Sequence, residues 1–97
     1  MNLQGFKAAL AKNDPPEGLA PALKALWWDA KGDWNKAHGF AQQVEDDKDG
    51  QWVHAYLHRK EGDLSNAGYW YRQAGKPVAS ASLDAEWETI VKALLAV

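Results

Sequence analysis

The sequence predicts an all-α chain: two tandem antiparallel helical hairpins flanked by a helix at each end. Three observations predict it. Apolar residues recur at steps of three and four over most of the chain, the spacing of one helix face. The dipeptide Gly-Asp closes two of these stripes, at Gly32-Asp33 and, 30 residues on, at Gly62-Asp63. No segment alternates polar and apolar residues for long enough to read as a strand.

The elements follow in order. Residues 1–20 hold a first helix and a linker. Leu3, Phe6 and Leu10 share a face, and Asn13-Asp14-Pro15-Pro16 ends the helix. Residues 21–47 make the first hairpin. Its first helix starts at Pro21, where a missing N–H costs least, and carries Leu23, Leu26, Trp27 and Ala30. Gly32 suits the left-handed turn that ends a helix, and Asp33 is a strong N-cap for the next. With almost no loop between them, the two helices must be antiparallel neighbours. The second carries Trp34, Ala37, Ala41 and Val44. Residues 48–77 repeat the plan: Gln51 to Glu61 with Trp52, Ala55 and Tyr56, then Gly62-Asp63, then Leu64, Ala67, Tyr71 and Ala74, stopped by Gly75-Lys76-Pro77. Residues 82–97 make a last helix on Leu83, Trp87, Ile90 and Leu94, with Asp84, Glu86 and Glu88 near its positive end.

Composition narrows the function classes. The chain has 97 residues, one domain's worth, with 46% hydrophobic and 25% charged residues. Net charge is -2, split evenly between the halves, which gives no electrostatic footprint for nucleic acid or an anionic membrane. There is no cysteine, so disulfides, zinc-thiolate sites and thiol catalysis are excluded. No run approaches the ~18 apolar residues of a membrane span, and the start lacks a signal-type apolar segment. The expected location is the cytoplasm. No nucleophile triad, phosphate loop or apolar carboxylate pair is visible, so no catalytic residue is assigned and no cofactor is expected.

In register with the two Gly-Asp turns, Ala25 matches Ala55, Ala37 matches Ala67, and Trp34 matches Leu64. Small residues let antiparallel helices approach closely. Here the chain resembles the tetratricopeptide repeat, in a short, divergent, bacterial-type form. That family sets a small residue on its first helix (Ala25, Ala55) and an aromatic three later (Trp28; His58 in the second unit). On the second helix it sets an Ala (Ala37, Ala67), an aromatic four later (Tyr71, with Ala41 in the first unit) and a third small site (Ala74, with Val44 in the first unit). Pro77 follows the second unit. Pro21 and Gln51 stand where the family has Trp, and the period is about four residues short of the family's. The resemblance implies terminal helices that cap the array and a groove lined by the first helices. Trp52, Tyr56 and Arg59 fall on that face, and Asp29 of the neighbouring unit is placed to pair with Arg59 or with a partner's cation.

The chain carries 6 tryptophans, a residue type that favours both cores and binding hot spots. The expected binding residues are therefore Trp52, Tyr56, Arg59, Asp29 and Trp70. The partner is a protein or peptide, or a second copy of the chain. If Trp52 and Tyr56 are buried under a terminal helix, the interface belongs instead at Trp27, Tyr69 or Trp70. His54 and His58 are four apart on one helix face, the spacing of a two-histidine metal motif, but Ala55 stands where a zincin has Glu. They are expected to be hydrogen-bonded, half-buried structural residues. The alternative is a small-molecule binder or metal-dependent enzyme centred on His54, His58 and Arg59, with His38 or Glu61 as a third ligand.

Overall fold

The computed structural model describes residues 1–96. It holds six helices: α1 Leu3–Ala9, α2 Pro21–Ala30, α3 Trp34–Gln43, α4 Lys48–Lys60, α5 Leu64–Ala74 and α6 Leu83–Leu95. There is no strand among the described residues, and no helix is long and apolar enough to cross a membrane.

The two Gly-Asp turns are built alike. Gly32 and Gly62 take φ of 87° and 89°, the left-handed region that a Cβ disfavours. The amides of Gly32 and Asp33 donate back to the carbonyls of Asp29 and Trp28, and those of Gly62 and Asp63 to Arg59 and His58. This paired capping closes α2 and α4. The same aspartates then start the next helix: Asp33 accepts from the Lys36 amide, and Asp63 from the Asn66 amide. A helix end and a helix start thus share one dipeptide, and α2 packs against α3 as α4 packs against α5. Ala25, Ala37, Ala55 and Ala67 are all buried at these crossings.

α2 and α4 also touch one another, and α6 lies across both, with α1 packed on α6. The apolar stripe of α6 needs burial, and the first helices of the two hairpins offer the apolar face that receives it. Trp87 anchors the contact. Its indole N–H donates to the Leu26 carbonyl at 3.0 Å, and its ring meets Phe6 of α1 with centroids 5.7 Å apart. Phe6, Leu26, Trp27, Val53, Leu57, Ile90 and Val91 are fully buried in one core cluster.

α4 starts three residues earlier than the periodicity suggests. Asp47 caps it, and Gly50 in its first turn lies against the chain that leaves α3. A Cβ at Gly50 would stand 2.1 Å from the Val44 carbonyl oxygen. In an ordinary helix, Gly to Ala stabilises by up to about 1 kcal/mol. At Gly50 the sign should reverse, with Gly50→Ala costing about 1–3 kcal/mol by overpacking. At Gly39, where a Cβ meets nothing within 4 Å, the same change should stabilise. Urea unfolding of both variants reads the two signs, and a stabilised Gly50→Ala would show that the approach is not close.

Candidate functional site

The residues that the register assigns to a groove come together, but under α6. Tyr56 is 2% exposed. Its hydroxyl donates to Asp29 Oδ2 at 2.9 Å, and Lys60 Nζ donates to Asp29 Oδ1 at 2.9 Å. Burial, reinforced by the Asp29 carboxylate, pushes the Tyr56 phenol well above its usual range. Arg59 donates to Glu86 Oε1 of α6 at 2.8 Å and to the Ala81 carbonyl. Tyr71 donates to the other Glu86 oxygen. Asp29 thus pairs with Tyr56 and Lys60 instead of Arg59. Tyr56, Asp29 and Arg59 are engaged within the fold because the last helix covers the face on which they lie, although a hollow of about 390 Å³ bordered by Asp29, Tyr56 and Trp87 remains beside it. Trp52, at the edge of that face, remains half-buried with the Lys76 ammonium 4.3 Å above its ring. It borders a shallow hollow of about 390 Å³ lined also by Pro77, Val78, Ala79 and Thr89. Val78 is 65% exposed.

A second cluster forms where α3, α4 and α5 meet. His38 of α3 and His54 and His58 of α4 present their imidazoles to one another. Ring centroids are 4.7 Å apart for His38–His54, 5.3 Å for His38–His58 and 5.3 Å for His54–His58. One ligand nitrogen from each lies within 4.8 Å of the others. Two tryptophans bracket the group. Trp34 stacks on His38 at 4.8 Å and 11°, and its indole N–H is pinned to the Leu57 carbonyl at 2.9 Å. Trp70 of α5 lies on His54 at 4.2 Å.

The three imidazoles differ in their partners. His58 Nδ1–H donates to Glu61 Oε1 at 2.9 Å, the tautomer that in a neutral ring places the lone pair on Nε2. The Asn66 amide is 3.4 Å from that Nε2, a long contact. His54 is 3% exposed, and neither of its ring nitrogens finds a partner among the described residues. Burial, then the neighbouring His38 and His58, lower its pKa to about 4. His38 is also lowered, first by its own burial and then by His58. Both rings are therefore neutral at pH 7, with a lone pair to offer.

Both histidines are buried rather than half-buried, and the expected hydrogen bonding is found for His58 and not for His54. The failure is positional. His54 faces two helices, α3 and α5, and both present aromatic rings to it. His38 is the member that helix spacing alone could not attach, because it reaches the pair from the preceding hairpin. No protein-family model, no curated protein and no solved structure matches the chain.

Proposed function

We propose that the chain is a cytoplasmic, tetratricopeptide-like interaction module: two hairpins, α2–α3 and α4–α5, capped by α1 and α6. The capping helix α6 moves the docking surface from the groove to its rim. The observation that carries this reading is the hollow beside α4, where exposed Val78 and half-buried Trp52 adjoin the Lys76 ammonium. An aromatic wall beside an exposed aliphatic and a cation fits a partner segment that bears an apolar side chain next to a carboxylate. Exposed Tyr69 and Leu64 on α5 offer further apolar surface on the same hairpin. Affinity capture from the native host tests the reading. Val78→Glu and Lys76→Glu should lose a partner that the wild-type chain retains, with melting temperatures unchanged. Equal capture by all three, or no capture by a monomeric wild type, would sink it.

A second reading is favoured by one observation, the two unpartnered nitrogens of buried His54. Arg59, held by Glu86, drops out of that alternative site, and His38 takes its place. Such a cluster calls for a ligand that accepts lone pairs rather than for a protein partner.

A further inference from the structure

The histidine cluster has the dimensions of a metal site. A zinc-type ion sits about 2.0–2.1 Å from each imidazole nitrogen, which puts each ring centroid about 3.2 Å from the ion; at tetrahedral angles the centroids are then about 5.2 Å apart. The observed separations are 4.7, 5.3 and 5.3 Å. The three ligand nitrogens lie within 4.8 Å of one another, against about 3.3 Å in a tetrahedral site, so an ion would draw them together by up to about 1.5 Å.

Four further observations point the same way. A buried polar atom without a partner costs free energy, and native structures rarely carry one without a reason. His54 carries two, where a leucine or phenylalanine would fill the space between α3 and α5 at no such cost. His58 has its Nδ1–H committed to the Glu61 carboxylate, the arrangement that fixes the tautomer and raises the basicity of a ligating Nε2. His38 is held flat against Trp34, which is itself hydrogen-bonded to α4, so its ring direction is set in advance. His38 is also only half-buried, which leaves a way in from solvent. A set of three imidazoles without thiolates suits zinc, nickel, copper or cobalt and does not suit magnesium or calcium.

We propose that His38, His54 and His58 form a binding site for one divalent transition-metal ion of the zinc type, with Glu61 orienting His58 from behind. The site joins α3 of the first hairpin to α4 of the second, so the ion clamps the two units together. It is independent of the Trp52–Val78 surface.

The test uses the whole chain stripped of metal with a chelator. Cobalt(II), as a spectroscopic stand-in for zinc, should bind one ion per chain and give the visible bands of a low-coordinate nitrogen site. Zinc at a hundredfold excess over its Kd should raise Tm by roughly 10–20 °C. Magnesium should do neither. His38→Ala and His54→Leu should each weaken zinc binding at least ~100-fold, with helical circular dichroism retained; leucine refills the His54 site, so that variant stays folded. Glu61→Gln should weaken it ~10–100-fold. Asn66→Ala should leave it intact, since its contact to His58 is long. The absence of saturable zinc or cobalt binding overturns the proposal. So does binding that survives both His38→Ala and His54→Leu, because the ion would then sit elsewhere.

Discussion

Glu86→Ala is expected to lower stability by about 3–5 kcal/mol, the cost of breaking a buried ion pair from one side. Glu86 is 5% exposed and ties α6 to both helices of the second hairpin. One oxygen accepts from Arg59 of α4 and the other from Tyr71 of α5. Truncation leaves the Arg59 guanidinium, whose side chain is 17% exposed, with the Ala81 carbonyl as its remaining partner among the described residues, and it removes the acceptor of the Tyr71 hydroxyl, which burial already holds in its neutral form. Glu86→Gln keeps the shape and part of the hydrogen bonding, so it should cost clearly less. The lost charge is then separated from the lost contacts. Urea unfolding followed by circular dichroism reads both. A Glu86→Ala loss below about 1 kcal/mol would mean that water replaces the carboxylate and that α6 is held by its apolar stripe alone. A weakened α6 would also uncover the face on which Tyr56 and Arg59 lie.

The helices and the two Gly-Asp junctions were legible because they are local, whereas the start of α4 was not. Gly-Asp encodes a left-handed turn and a cap within two residues, and both junctions read correctly from the sequence. The close crossings at Ala37 and Ala67 followed from side-chain size in register. The fate of the first-helix face was not local. Trp52, Tyr56 and Arg59 share a face by periodicity, but whether that face meets solvent depends on where α6 docks. Glu86 then decides where the Arg59 charge goes, 27 residues away in sequence. The histidines show the same limit. His54 and His58 are visible as an i, i+4 pair, whereas His38 joins them only through the packing of α3 on α4. The aromatic density of the chain did not separate core from site. Trp27 and Trp87 belong to the core, whereas Trp34 and Trp70 bracket the histidines.

The histidine cluster should also make the metal-free fold sensitive to mild acid. His54 has a pKa of about 4 in the fold against 6.5 for the free side chain. Between those values the unfolded chain binds more protons than the folded one, so stability rises with pH across the window and is lost as pH falls from about 6.5 to 4. A shift of about 2.5 units at 1.36 kcal/mol each gives a loss of about 3 kcal/mol. The groups around the ring agree with that sign. His38 from α3 and His58 on α4 oppose a charge on His54, and α5 contributes the uncharged Trp70. Glu61 and Glu45 favour protonation of His38, but burial and His58 outweigh them. Urea unfolding in chelator at pH 7.5, 6 and 4.5 measures the loss. Carboxylates titrate near the lower end of the same window, so the comparison that isolates the histidine is with His54→Leu. That variant should lose most of the slope between pH 6.5 and 5, where carboxylates of ordinary pKa are still largely ionised, and it should be the more stable protein at pH 5. Equal slopes in the two proteins would mean that water reaches the His54 nitrogens, and that the ring is solvated where the packing of α3, α4 and α5 leaves it dry.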